Sequence, residues 1–176
     1  MPILPPFVIL PRPVSTLSST SFSFEQWVED IIANPDTAAS VEEAVAAAEA
    51  AEVVGRAGGL LARDDADAVD CNREPRGWKR TSAQEAAACI DELARRGGNG
   101  EVCAIGQGKL SAQFCRRGSA QIAGSKAVQS RQGVNCNDVA RTAGLIFDAC
   151  WRADETIVGS RIRWNNGNIQ IGILGV

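Results

Sequence analysis

Apolar residues recur with helical spacing close to the start of the chain. The first such face consists of five side chains: Phe24, Trp27, Val28, Ile31 and Ile32. This spacing predicts an amphipathic helix, which Asn34-Pro35 ends. A second helix is predicted from Ser40 to about Glu52, because Ser40 and Glu43 form a capping box ahead of an alanine-rich run. Both apolar faces are too small to form a core alone, so the two helices either pack on the later domain or stay loose.

The pattern after residue 70 alternates between helices and strands. Ser82 and Glu85 form a capping box for a helix that Gly97-Gly98 closes, and Asn135 caps a further helix. The inward faces of these two helices consist of Ala86, Cys89, Ile90 and Leu93 in the first, and of Val139, Ala143, Ile146, Phe147 and Cys150 in the second. Each face is wide enough to cover a sheet.

Short runs of β-forming residues predict the strands between and after these helices. Residues 101–105 and 110–115 are predicted to pair around the turn at 106–108, and residues 119–123 to form a further strand. Residues 161–164 and 168–174 are predicted to pair around Asn165-Asn166-Gly167, where Asn-Gly supplies positive φ angles. The order of elements predicts an α+β fold. It is a two-layer sandwich, stapled by disulfides, in which an antiparallel sheet carries two helices on one face.

Six cysteines lie between Cys71 and Cys150, and the first 70 residues contain none. An even number in a small domain favours three disulfides and an oxidising compartment. The chain contains no His, and the cysteine spacings contain no C-x2-C or C-x4-C pair, so we expect no metal and no cofactor. A reduced intracellular domain remains the alternative.

Six cysteines allow 15 pairings, of which the element order favours one. Two cysteines flank the hairpin predicted around 106–108, two lie on the two core helices, and the remaining two are Cys71 at the start of the domain and Cys150 at the end of the second helix. The predicted bridges are Cys103 to Cys115, Cys89 to Cys136, and Cys71 to Cys150. The second of these would staple the two helices together over the sheet.

Charge divides the chain at the same place as cysteine content. Residues 1–70 hold three Lys and Arg against 12 Asp and Glu, a net of −9, and residues 71–176 hold 15 against nine, a net of +6. The sequence therefore predicts a poorly defined N-terminus over 1–22, an acidic helical pro-region and linker over 23–70, and a cysteine-rich mature domain over 71–176. We expect cleavage near Asp64, for instance after Arg63, and a leader that the folded domain does not need. An acidic tail that is never removed is the alternative.

The first 22 residues lack the pattern of a standard secretion signal, and a degraded signal is one interpretation of them. Prolines interrupt their apolar pieces, so the uninterrupted stretch of a standard signal is missing. No stretch approaches the roughly 20 apolar residues of a membrane span. With neither His nor Tyr in the chain, acid–base and triad chemistry lack their usual groups, and we expect no enzymatic activity.

Basic and aromatic side chains of the second half are the candidate binding residues. They are Arg116, Arg117, Lys126, Arg161, Arg163, Trp151 and Trp164. A positive face attracts acidic partners, and an exposed Trp anchors an interface or stacks on a sugar. Solvated arginines and tryptophans at the edge of the core are the alternative explanations. Few aromatic residues are interleaved with the charges, so nucleic acid is not an expected partner.

Several short motifs resemble those of a fungal family of secreted proteins. They are Cys136-Asn137-Asp138-Val139-Ala140, the later Cys150, Val158-Gly159, Asn166-Gly167-Asn168-Ile169-Gln170-Ile171, and Phe114-Cys115 followed by Gly118-Ser119-Ala120-Gln121-Ile122. This pattern is similar to the closing helix and strands of fungal killer-toxin-like and extracellular necrosis-type effectors. The resemblance covers about residues 71–176, and residues 24–35 resemble the leader of such proteins.

The resemblance implies a secreted, monomeric protein that binds a host or competitor protein or cell-surface component. The killer toxin of smut fungi has further cysteines and a lysine just before the cysteine of its central strand, where this chain has Ala112-Gln113-Phe114 before Cys115. A channel-blocking role tied to that lysine does not transfer. The alternative function is inhibition of secreted hydrolases, with Arg116-Arg117 or the segment 123–126 presented to the enzyme.

Overall fold

The computed structural model describes residues 22–58, 69–162 and 169–176. Its helices are α1 (Phe24–Ala33), α2 (Val41–Gly58), α3 (Ala83–Gly98) and α4 (Cys136–Cys150). Its strands are β1 (Val69–Asp70), β2 (Thr81–Ser82), β3 (Val102–Ile105), β4 (Ser111–Arg117), β5 (Ala120–Ser125), β6 (Gln132–Asn135), β7 (Thr156–Ile157), β8 (Gly159–Ile162) and β9 (Gln170–Gly175). The helices predicted from the apolar spacing are all present.

Five strands form the main sheet in the order β1-β8-β9-β5-β4, and every neighbouring pair is antiparallel. Two small ribbons, β2 with β7 and β3 with β6, stand beside it. Because side chains alternate along a strand, Ile122, Ile171 and Ile173 point to the same face of the sheet, and all three are fully buried. Helices α3 and α4 pack on that face, so the α+β prediction with two helices on one side is confirmed.

Helix α1 adds a further layer that the sequence left undecided. It packs on α4 and α3, and its residues Phe24, Trp27, Val28 and Ile31 are no more than 2% exposed. The sequence left open whether this helix packs on the later domain or stays loose, and in the structure α1 packs on the domain. The cysteine-free leader contributes to the same hydrophobic core as the sheet.

The predicted hairpin of β3 with β4 is wrong. Strand β3 pairs with β6, the strand directly before α4, and β4 pairs with β5 across a turn at Gly118-Ser119. The physical reason is the shorter connection: the two-residue turn brings β4 and β5 together at once, with Gly118 supplying the positive φ of 51°. The predicted pairing of the last two strands is confirmed by β8 and β9, and the turn at 165–167 lies outside the described residues.

All six cysteines form three disulfides, as predicted, but two of the three predicted pairings are wrong. Cys71 is joined to Cys150 as predicted, whereas Cys89 is joined to Cys115 and Cys103 to Cys136. The changed pairing of the strands explains the exchange. On β4, Cys115 faces α3, where Cys89 lies, and on β3, Cys103 lies opposite the end of β6, next to the first residue of α4.

Candidate binding surfaces

Arg116 is exposed near the end of β4, and a carboxylate fixes the β4–β5 turn that follows it to α3. The hydroxyl of Ser82 caps α3 as predicted by accepting from the Glu85 amide at 3.4 Å. The Glu85 carboxylate, however, does not complete the capping box. It accepts from the amide and hydroxyl of Ser119 at 2.8 and 2.6 Å, and these bonds, the hydroxyl first, lower its pKa. Arg116 therefore lies at the end of a strand whose following turn is held in place by α3.

Arg117 points to the opposite side of the strand from Arg116, towards a cluster of charged residues on α3 that contains Arg95, Arg96, Asp91 and Glu92. Its guanidinium meets the Glu92 carboxylate at 2.6 Å. The neighbouring Arg96 pairs with Glu92 at 3.3 Å and with Glu101 at 2.5 Å. The same Arg96 side chain donates to the carbonyl of Phe114 at 2.8 Å, at the bulge where β4 loses its register with β5. These contacts tie the edge strand to the helix.

A shallow cleft of about 380 Å³ opens beside this cluster, between the start of α2 and the surface of α3. Its charged lining consists of Arg95, Arg96, Arg117, Asp91 and Glu92. Each of the three guanidinium groups is paired with at least one of these two carboxylates. The cleft is therefore nearly neutral, and its arginines serve mainly to join elements of the fold.

Lys126 lies inside the molecule rather than on a presented segment. Its side chain is 6% exposed, and its ammonium donates to the carbonyl of Gly106 at 3.0 Å and to that of Ser130. The group thereby joins the loop after β3 to the loop after β5. Since a buried ammonium needs such acceptors, Lys126 has a structural role, and the segment 123–126 is not displayed as the sequence suggested.

The structure does not bring the remaining predicted binding residues together. Arg161 is half-buried on β8, and the strands β9 and β5 lie between β8 and β4 in the sheet. Trp151 ends α4 and packs in an aromatic group beneath α1, where its ring centroid lies 6.1 Å from that of Phe24. Arg163 and Trp164 lie outside the described residues. Arg116 and Arg117 are thus adjacent in the chain but face different sides.

The surface beneath α1 was missed by sequence reasoning. Three residues of α4 and the residue that follows it form a stripe with spacings of three, four and three: Arg141, Gly144, Asp148 and Trp151. This is the spacing of a helix–helix contact, and it could have been noticed on the side of α4 opposite to the sheet-facing residues. We name the surface that α3 and α4 present to α1 the α1 groove.

Aromatic packing fills the centre of the α1 groove. The Phe24 ring lies 3.9 Å from the Phe147 ring, centroid to centroid, and 5.8 Å from the ring of Trp27. The Trp27 indole nitrogen donates to the carbonyl of Ala39 at 2.9 Å and so holds the segment after α1 in place. Buried aromatic groups of this size dominate the energetics of a contact.

Polar contacts fix both the end and the side of α1. The Asp148 carboxylate accepts from the amides of Phe24 and Glu25 at 2.6 and 3.1 Å, and from the Ser23 hydroxyl at 2.7 Å. It thus places a negative charge from α4 at the N-terminus of α1, where the helix dipole favours it. Arg141 binds Glu29 with two hydrogen bonds of 2.5 and 3.0 Å, and the pKa of Glu29 is lowered mainly by this pairing.

Gly144 allows the two helices to approach each other closely. A Cβ atom at this position would lie 3.1 Å from the backbone of Phe24 and Glu25. Any larger residue must push α1 away by some tenths of an ångström. The α1 groove is therefore shaped for the backbone of a helix as well as for its side chains.

The described residues contain neither a membrane-spanning helix nor a cluster of metal ligands. Among residues 22–58, 69–162 and 169–176, none of the helices has the length and apolar character needed to cross a membrane. In that same part of the chain, no three His, Cys, Asp or Glu side chains are grouped so that they could hold a metal ion.

The fold and the bridges define a class: a disulfide-stapled α+β domain with an N-terminal helical extension. Residues 66–175 match a domain of unknown function, DUF8794, and the chain belongs to this family. The match begins after α2, so the extension that contains α1 lies outside it. No curated protein and no solved structure is significantly similar to the chain.

Proposed function

We propose that this chain is the precursor of a small secreted protein of the toxin or effector class, which acts by binding a component of a host or competitor. One observation carries the proposal: all six cysteines form disulfides within residues 71–150, and none of them joins the domain to the acidic leader. Such bridges are characteristic of extracellular domains. A leader without covalent attachment can leave after cleavage.

The domain offers the target an exposed basic side chain at a rigid strand end. Arg116 is exposed near the end of β4, and the residue before it is tied to α3 by the disulfide of Cys115 with Cys89. After Arg116, the turn at Gly118-Ser119 is held by Glu85. Because this part of the backbone is fixed on both sides of Arg116, binding through Arg116 costs little backbone entropy.

The experiment is expression of the full chain in a eukaryotic secretory host. We expect the protein in the medium, with an N-terminus near Asp64 and no thiol that reacts before reduction. Two or more reactive thiols, or protein retained inside the cell, would contradict the proposal.

The variant Arg116→Glu should capture less of any target from host extracellular fluid. Lys109→Glu, which reverses a charge in the loop after β3, is the control.

Inhibition of a secreted hydrolase is the second candidate, and the same strand end favours it. Arg116 directly follows a disulfide and is exposed on a fixed strand, an arrangement that suits presentation to an enzyme, whereas Arg117 is paired with Glu92. An inhibitor should capture a protease or glycosidase and should lose it when the enzyme's active site is blocked beforehand. A toxin or effector should be indifferent to such blocking.

A further inference from the structure

We infer that the α1 groove is a binding site for an acidic amphipathic helix of a partner, occupied in the precursor by α1 itself. The inference rests on the proposed function, because the site becomes available only when the leader has been cut from the domain. It adds a second contact surface, remote from Arg116, and states the chemistry of what binds there.

The present occupant of the α1 groove shows which kind of helix fits it. Helix α1 has one apolar face, which is buried in the groove, and three acidic residues, Glu25, Glu29 and Asp30. It contains no basic residue in its last turn. The groove has a matching pattern: an aromatic centre around Phe147 and a guanidinium at Arg141. The occupant and the site are therefore complementary in both shape and charge.

The two parts of the chain carry opposite net charges. The domain from residue 71 onward carries a net of +6 and the leader a net of −9. Besides Arg141, Arg95 contacts the leader, since it donates to the carbonyl of Pro35 at 2.8 Å; the pKa of Arg95 is raised mainly by its hydrogen bonds with Asp91 and to a smaller extent by Asp36. Departure of the leader would leave Arg141 with Asp138 and Arg95 with Asp91, and would expose the Asp148 carboxylate that binds the N-terminus of α1. A replacement helix with an acidic residue opposite Arg141 and a free N-terminus at Asp148 would restore both contacts, which together with the positive net charge of the domain favours an acidic helix over a basic one.

No disulfide holds α1 in the α1 groove. The groove lies within residues that match the family, whereas α1 lies outside them. The leader holds no cysteine, so after cleavage only non-covalent contacts retain it. A large apolar surface that remains exposed on a secreted protein is normally an interaction site. Helix-in-groove binding uses anchors at the spacing that Phe24, Trp27 and Ile31 show.

The test begins with the intact chain. A recognition sequence for a specific protease is placed between residues 59 and 68, and the folded, oxidised protein is cut. We expect the leader to co-elute with the domain at high concentration and to separate on dilution. A fluorescent peptide of residues 22–40 should then bind the domain, and its binding should be measured by anisotropy.

Two peptides of unrelated sequence define the partner's chemistry. One keeps the apolar spacing and the acidic residues, and the other keeps the spacing but replaces each acidic residue by Lys. We expect the acidic peptide to bind within about tenfold of the native one and the basic peptide at least about tenfold more weakly. Equal binding of both would overturn the charge argument. Absence of binding by the native peptide would overturn the site.

Gly144→Ala is the variant that addresses the groove directly. Alanine favours helix formation over glycine, so α4 should not suffer, but its methyl group meets the backbone of α1. We expect peptide binding about tenfold weaker, with the disulfides and circular dichroism unchanged. Gly98→Ala in α3 is the matched control, since a Cβ there meets nothing within 4 Å. If both variants bind equally well, the groove is not the site.

Two further outcomes would overturn the inference in other ways. A leader that never exchanges with the labelled peptide would be a permanent part of the fold. An intact chain that is dimeric, and becomes monomeric with Gly144→Ala, would assign the groove to a second copy. Secretion, processing and the effect of Arg116→Glu are measured separately, so failure of the groove leaves the proposed function testable.

Discussion

Removal of the bridge between Cys71 and Cys150 should destabilise the protein by about 4.5 kcal/mol. The perturbation is the double change of both residues to Ala. The two cysteines are 79 residues apart, and closing a loop of this length lowers the entropy of the unfolded chain by an amount that corresponds to about 4.5 kcal/mol at 25 °C. For a chain of this size, the melting temperature should fall by about 10–15 °C.

Urea unfolding followed by far-ultraviolet circular dichroism measures this effect. Besides a lower midpoint, we expect a steeper dependence of the unfolding free energy on urea, because the uncrosslinked chain exposes more surface when it unfolds. Peptide mapping without reduction should show that Cys89–Cys115 and Cys103–Cys136 are retained. A loss of less than about 1 kcal/mol with these two bridges intact would refute the loop-entropy reasoning.

Three other predictions concern single side chains. Lys126→Met should cost about 1–3 kcal/mol in urea unfolding, because it leaves two loop carbonyls without their buried donor; an unchanged midpoint would show that water replaces it. Gly118→Ala should lower stability by about 1–2 kcal/mol or more, since φ is positive and a Cβ would lie 1.9 Å from the Glu85 carboxylate; Gly98→Ala is again the control. Pairing with Arg141 lowers the pKa of Glu29 in the folded state. The ionised Glu29 therefore stabilises the fold above about pH 4.5, and this contribution is lost as the pH falls through the lowered pKa. Glu29→Gln should remove this part of the pH dependence of the unfolding free energy, measured from pH 6 to pH 2.

The sequence was sufficient to predict the helices because their signals are local. Ser23, Ser82 and Asn135 each accept a hydrogen bond from an amide in the first turn of a helix. Apolar spacing then identifies which face is buried. Neither signal depends on where the helix lies in the fold, so the class of fold followed from the sequence.

Strand pairing could not be predicted because it depends on competition between partners. Residues 102–105 and 111–117 are separated by a glycine-containing turn, which is compatible with a hairpin. The turn at Gly118-Ser119 is tighter and is stabilised by Glu85, a residue 33 positions before Gly118. A contact between residues so far apart in the chain has no signature in the local sequence pattern. The predicted disulfide pairing was wrong for the same reason, because it relied on the predicted strand pairing.

The candidate site was only partly predictable for the same reason. Arg116 could be recognised as exposed and basic, whereas the burial of Lys126 depends on two loops that meet only in the folded chain. The α1 groove depends on Gly144, whose importance is the space that it leaves. A residue that acts through its small size gives no signal of chemistry in the sequence.

The contact of Arg96 with the bulge in β4 bears on how the protein behaves at high concentration. Strand β4 ends the five-stranded sheet, and such an outer strand can recruit the corresponding strand of another molecule into a growing aggregate. Here the register of β4 is broken near Phe114, and the carbonyl of that residue already accepts from Arg96. A bulge and a charged side chain at the edge both oppose such recruitment. The protein can therefore reach a high concentration without joining sheets edge to edge.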